Sequence, residues 1–320
     1  MGKYTDDPAW EDVVPFPQDD GGPNPLAAIA YTDEYSEAMS YLRAVMADNE
    51  LSPRALSLTS DIIGLNAAHY TVWIYRSKIL SAISADLTEE LEWLNETALA
   101  HLKNYQIWHH RQYLLDRIDK PDGEVKFVNE MLEQDGKNYH VWSYRQWLVR
   151  RFGLWEMENV VDEDGTLRSE LDETMRFIEE DVRNNSAWNH RFFLVNGQEG
   201  SQGVKDPNVR KREVEFAKKA VKRAPQNQSP WNYLRGTMDR AGLGLSDLQE
   251  FCEEFANLQD ESKVKSSHAL DVLAEIYGKE KQERAKAEKA YDLLALRYDP
   301  IRANYWNFLK GRLREQTVAA

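Results

Sequence analysis

Between residues 103 and 118 the apolar positions fall at Trp108, Leu114, Leu115 and Ile118, and the spacing returns at Trp142, Leu148 and Val149. Those intervals draw one stripe along an α-helix rather than the alternating faces of a strand. The stretches are near copies: "KNYQIWHHRQYLL" at 103–115 and "KNYHVWSYRQWLV" at 137–149. Trp73, Trp108, Trp142, Trp188 and Trp231 mark successive copies, spaced by 35, 34, 46 and 43 residues. Three residues after the first four tryptophans stand Arg76, Arg111, Arg145 and Arg191, and the fifth copy slips its arginine by one to Arg235. Four residues before the last four tryptophans stand Asn104, Asn138, Asn184 and Asn227. A sixth, degenerate copy surrounds Trp306 in "RANYWNFLKGRL".

The asparagine is placed to cap its helix, its side chain accepting a hydrogen bond from the first turn. Upstream of each cap lies a second amphipathic segment, such as "TEELEWLNETALAHL" or "EVKFVNEMLEQD". Each unit is therefore a helix pair of about 34 residues, the length of stacked helical repeats. The expected fold is all-α, a right-handed superhelical solenoid of stacked antiparallel helix pairs over residues 31–320, and no strand is read. The longer interval holds "VVDEDGTLRSE", an acidic insertion expected as a surface loop. Residues 1–30 read differently: "PFPQDDGGPNPLAAIAYTDEY" is rich in Pro, Gly and Asp. That composition suits either a disordered tail or an extended arm lying on the solenoid or on a partner.

Tryptophan and arginine recur in nearly every copy, so they are read as core and inter-helix residues. Lysine does not recur that way. Lys103 and Lys137 open their helices, each followed by Asn and Tyr (Tyr105, Tyr139), whereas the neighbouring copies carry Ala68 and Arg183. A helix entrance has free N–H groups and partial positive charge, and a lysine and a phenol add donors for an anion. The opposing reading is that both lysines are solvated surface residues.

Net charge narrows the partners. With 40 basic and 54 acidic residues the formal charge is −14, which argues against nucleic acid. No run is apolar for long enough to cross a membrane, and the acidic opening "MGKYTDDPAWEDVV" lacks the regions of a signal peptide. One cysteine, Cys252, excludes an internal disulfide and a cysteine-rich zinc module, so a cytoplasmic protein is expected. His109-His110 point about 100° apart on a helix and complete no metal-ligand spacing. Phosphate-loop, nucleophile-elbow, HExxH and DDxxD motifs are missing.

Tandem "NYxxWxxR" units, two of them led by lysine, resemble the α subunits of the protein prenyltransferases. The segments "VPFPQDDGGPNPLAAIAY" and "LNAAHYTVWIYR" resemble the α subunit shared by farnesyltransferase and geranylgeranyltransferase type I. Rab geranylgeranyltransferase α subunits share the repeats but not that arm. A non-enzymatic scaffold of the tetratricopeptide kind would show W-x₂-L-G-x₂-Y, which these repeats lack. The resemblance implies a crescent of helical hairpins around a β subunit that holds the catalytic zinc. In the farnesyltransferase form magnesium is implied as well. It implies transfer of a farnesyl or geranylgeranyl group from its diphosphate to the cysteine of CaaX-terminated proteins.

Position by position, Lys103 matches the lysine that reaches toward the diphosphate, and Gln106 the glutamine that bonds the substrate's terminal carboxylate. Tyr105 lines the same junction, and Tyr70 matches a residue near the pocket for the last substrate side chain. Lys137, Asn138, Tyr139 and His140 match the next rim cluster, with Tyr139 favoured as nearest the diphosphate. His69 departs from the pattern, standing where the family more often has asparagine.

Overall fold

The structure is a computed structural model that describes residues 2–22, 24–155, 158–161 and 167–318. It divides into two compact units, Met1–Phe152 and Gly153–Ala320. The first holds a lone helix α1 (Asp33–Ala47) and three helix pairs. These are α2 (Pro53–Leu65) with α3 (Tyr70–Ala82), α4 (Leu87–Ala100) with α5 (Tyr105–Ile118), and α6 (Glu124–Gln134) with α7 (Tyr139–Phe152).

The second unit opens with a short antiparallel pair, β1 (Glu158–Val161) and β2 (Leu167–Ser169). The acidic insertion, expected as a loop, thus carries two short strands; its residues 162–166 lie outside the described set. Then follow α8 (Glu170–Glu180) with α9 (Asn185–Asn196) and α10 (Pro207–Arg223) with α11 (Gln228–Arg240). The short α12 (Gln249–Glu253), α13 (Ser267–Lys279), α14 (Arg284–Leu293) and α15 (Ala303–Val318) complete it. Within each unit the pairs stack as a helical-repeat solenoid.

Five corners repeat one hydrogen-bonding scheme. In each, the last corner residue donates its N–H to the carbonyl three residues earlier: His69 to Asn66, Asn104 to His101, Asn138 to Asp135, Asn184 to Asp181 and Asn227 to Ala224. The four asparagines then cap the second helix, Asn104 Oδ1 accepting from the N–H of Gln106 at 2.7 Å and Asn138 Oδ1 from that of His140 at 3.0 Å. His69 makes no side-chain cap bond, and its Nδ1 is buried without a partner among the described residues.

The tryptophans do two jobs. Their rings are buried, and four indole N–H groups donate to the carbonyl six residues upstream: Ala67, Gly136, Val182 and Pro225. Three of the tryptophans also meet the residue two places past the tryptophan of the following pair. Trp73 lies 5.2 Å from His110, Trp108 5.2 Å from Tyr144, and Trp188 5.1 Å from Tyr233. Such ring contacts add to what area burial alone supplies. Trp306 breaks the scheme, donating instead to the Asp299 carboxylate at 2.9 Å.

Arginine links one pair to the next. Arg76 of α3 forks onto Glu90 of α4, both contacts 2.6 Å, and Arg111 of α5 onto Glu124 of α6 at 2.7 and 2.6 Å. Arg191 of α9 does the same to Glu213 of α10 at 2.8 and 3.1 Å. The glutamates also take a bond from their own pair: His110 Nε2 at Glu90 (2.7 Å), and the hydroxyls of Tyr144 at Glu124 and Tyr233 at Glu213 (both 2.6 Å). Bidentate, charge-assisted bonds of this kind satisfy both ions where water cannot reach. Burial beside a carboxylate pushes both phenols well above their usual range, so they stay donors.

Residues 2–18 lie along α1 and α2. Tyr4 and Trp10 are buried against Tyr41, and Tyr4 donates to Asp61 at 2.6 Å. The Glu37 carboxylate collects the backbone N–H groups of Lys3, Tyr4 and Thr5.

Candidate functional site

The rim residues singled out in the sequence all lie in the first unit, at the entrances of α3, α5 and α7. Lys103 stands two residues before α5, with its side chain 81% exposed. Its ammonium is 3.9 Å from the carboxylate of Asp135, which ends α6. Tyr105 and Tyr139 open α5 and α7, both well exposed. His140 joins the two corners, its ring edge-on to Tyr105 at 4.1 Å and to Tyr139 at 5.8 Å. Burial pulls the His140 imidazole below its usual value, which favours the neutral ring at neutral pH.

Asn138 is engaged inside the protein at both ends. Its oxygen caps α7, and its Nδ2 donates to the carbonyl of Leu102, beside Lys103, at 2.8 Å. Leu102 stands where the other repeats supply the acceptor for the tryptophan six residues on, and Trp108 Nε1 is left buried with no partner among the described residues. The Lys103 loop is thereby tied to the next corner instead of to its own tryptophan.

Lys137 is exposed, with its backbone N–H on Asp135 Oδ1 at 3.3 Å. Tyr70 stands one pair earlier, exposed at the entrance of α3, its ring 6.4 Å from that of His69. Gln106 is half-buried and lines an open cleft of about 650 Å³ with Ile74, Lys78, His109 and Arg117. The geometry thus gathers Lys103, Tyr105, Asn138, Tyr139 and His140, while Gln106 turns toward the cleft.

Two features escaped the sequence reading. One is Asp135; the signal was an acid three residues before the capping asparagine, which recurs as Asp181 before Asn184. The other is the cleft beneath Gln106, assembled from α3 and α5 with Leu51 from the loop before α2, which no single motif joins.

The rim offers cations, phenols and helix N–H groups, and lacks an activated nucleophile. Burial pushes the Cys252 thiol up to about 12, so it stays protonated. His110 belongs to the buried Glu90 network and not to a metal pair with His109. Among the described residues no group of three or more His, Cys, Asp or Glu side chains could hold a metal ion. No described helix is long and apolar enough to cross a membrane. Such a surface can bind and polarise an anion. Fold and rim together define a helical-repeat protein whose corners present exposed cations and phenols beside helix entrances.

Comparison with known proteins carries this to a family. The protein prenyltransferase alpha subunit repeat matches at residues 52–83, 87–118, 121–152, 167–198 and 210–241, in register with the five pairs from α2/α3 to α10/α11. The Pisum sativum protein farnesyltransferase/geranylgeranyltransferase type-1 subunit alpha is 37% identical over 96% of this chain and 93% of its own length. The solved Candida albicans protein geranylgeranyltransferase-I complexed with GGPP superposes with a TM-score of 0.85 at 37% identity, covering 94% of this chain and 97% of that one. A Mus musculus geranylgeranyl transferase type-2 subunit alpha is 31% identical over 60% of this chain and 35% of its own length. The chain belongs to the α-subunit family of the protein farnesyltransferase/geranylgeranyltransferase type-1 enzymes, which are protein prenyltransferases.

Proposed function

We propose that the chain works as one half of an obligate heterodimer with a prenyltransferase β subunit, in the cytoplasm. The pair would transfer a farnesyl or geranylgeranyl group from its diphosphate to the cysteine thiol of CaaX-terminated proteins, expelling pyrophosphate. Residues 1–30 would serve as an arm and 31–320 as the repeat domain. Zinc, and magnesium in the farnesyl-transferring form, would be held by the β subunit; zinc would there supply a stabilised thiolate. Among the described residues no group of three or more His, Cys, Asp or Glu side chains fits that ion.

Lys103 is the residue assigned to the chemistry. Its exposed ammonium, at a helix entrance that the fold builds equally well with Ala68 or Arg183, is the observation that carries the reading. An ammonium aimed at the departing phosphate oxygens stabilises charge that grows as the carbon–oxygen bond breaks, so it acts on the transition state more than on substrate binding. Tyr105 and Tyr139 flank it as phenol donors, with Tyr139 nearer the diphosphate. His140 braces both rings, and Asn138 and Lys137 shape the same corner. Gln106 would hold the terminal carboxylate of the protein substrate, and Tyr70 would border the pocket for its last side chain.

Co-expression with a candidate β subunit tests the whole reading. The expected result is a stable pair that moves labelled farnesyl or geranylgeranyl to a CaaX peptide, neither chain being active alone. A chain that stays monomeric beside every β partner and supports no transfer would overturn it.

A further inference from the structure

Asp135 has no role in the function assigned above, yet it is the carboxylate that faces Lys103. Its place is fixed by the backbone. It ends α6 with its N–H on the Met131 carbonyl, its own carbonyl takes the Asn138 N–H, and its Oδ1 takes the Lys137 N–H at 3.3 Å. That side-chain turn does not need a charge. Asn66 makes the same turn at the α2/α3 corner, its Oδ1 accepting from Ala68 at 3.2 Å. A neutral amide builds the corner as well as a carboxylate does, and Asp181 makes the same turn at the α8/α9 corner, its Oδ1 accepting from Arg183 at 2.9 Å, so the turn leaves the charge at 135 available to a neighbour. What it meets is the ammonium of Lys103 at 3.9 Å, from the preceding pair.

Two further contacts pull the same segments together: Asn138 Nδ2 on the Leu102 carbonyl, and His140 against Tyr105. The corner 135–140 therefore clasps residues 102–105. Through Leu102 and Tyr105 it fixes the backbone and the neighbouring ring, and through Asp135 it addresses the ammonium.

We propose that Asp135 is a positioning residue, the counter-charge that holds Lys103 at the rim while the site is empty and competes for it with a bound diphosphate. This rests on the assignment of Lys103 to the diphosphate. An entering diphosphate must displace the carboxylate from the ammonium and tolerate a fixed negative charge beside it. The same charge gives the ammonium somewhere to return when pyrophosphate departs. Asp135 thus weakens phosphate binding and favours release of the product anion.

The test uses the reconstituted heterodimer with inorganic pyrophosphate as inhibitor of prenyl transfer. D135N keeps the acceptor for the Lys137 N–H and removes only the charge; D135S, which retains a hydroxyl acceptor, serves if the amide perturbs assembly. Pyrophosphate inhibition is expected to tighten about three- to fivefold, the scale of an exposed ion pair. It should not tighten when the same change is made in a K103A background, whereas a corner altered only structurally would respond alike in both. No change with native Lys103, or an equal gain in the two backgrounds, overturns the role of Asp135 while leaving that of Lys103 standing. If K103A alone alters neither transfer nor pyrophosphate inhibition, the assignment of Lys103 fails and this inference fails with it.

Discussion

Arg111 and Lys103 are cations eight residues apart, at and just before the same helix, and their surroundings are opposite. The guanidinium is 1% exposed, forked onto Glu124 and bonded to Asn95 at 2.7 Å, and its counterparts recur along the chain. The ammonium is 81% exposed, has one carboxylate at 3.9 Å, and is replaced by Ala68 one repeat earlier. The first belongs to a buried ladder that the stack cannot do without. The second belongs to a rim the stack does not need. One repeat writes both, and the contrast separates a cation the fold is built on from one it leaves exposed.

The sharpest way to break that contrast is to remove one rung of the ladder. E124Q leaves the Arg111 guanidinium buried without its counter-ion and should cost about 3–5 kcal/mol, read as a lowered denaturant midpoint.

Acid acts on the same network. Burial holds His110 below its usual value, so the native ring is neutral and the unfolded chain binds the extra proton. Its contribution is lost as pH falls below about 6.5 toward the lower native value. Burial pushes Glu90 up, but His110 and Arg76 outweigh it and hold the carboxyl below its ordinary range. Its share is present above the unfolded value and is lost as pH falls through the native one. H110Y, which installs the phenol used at Tyr144 and Tyr233, should flatten the loss of stability that sets in as pH falls below about 6.5. An unchanged pH profile of unfolding would remove His110 from the account.

The tryptophans allow a finer comparison. W142F forfeits a bond to the Gly136 carbonyl, whereas W108F has no such bond to lose. The first should destabilise by about 1 kcal/mol more than the second in parallel urea titrations. Equal losses would mean the indole bonds carry no weight. The smallest effect is a gain: H69N restores the cap that α3 lacks and should add about 0.5–1 kcal/mol, read as a higher thermal midpoint.

Much of the first unit was legible because one periodic signal fixed several things at once. Trp108 set the register, Asn104 the helix start, and Arg111 the buried face. The pairing of Arg111 with Glu124 was not legible, because the glutamate lies 13 residues on, across a turn, and the interval grows to 22 for Arg191 and Glu213. Helix α13 passed unread between Trp231 and Trp306 for lack of a tryptophan, although Ser266 caps it and Leu270, Leu273 and Tyr277 mark its buried face. The strands β1 and β2 are four and three residues long, too short for alternation to show. At the rim the residue types were readable and their spatial ties were not. That Asn138 reaches back to Leu102, or that His140 braces Tyr105, depends on how one corner meets the next.

The central claim is that Lys103 is free of structural duty and acts on the leaving group. Single-turnover prenyl transfer by a K103A heterodimer tests it most directly, alongside assembly and thermal midpoint. The predicted result is an intact dimer of unchanged stability, an isoprenoid diphosphate affinity altered little, and transfer slowed about a hundredfold, the scale for losing one charge-stabilising donor. Transfer at the native rate in an intact dimer would contradict the account.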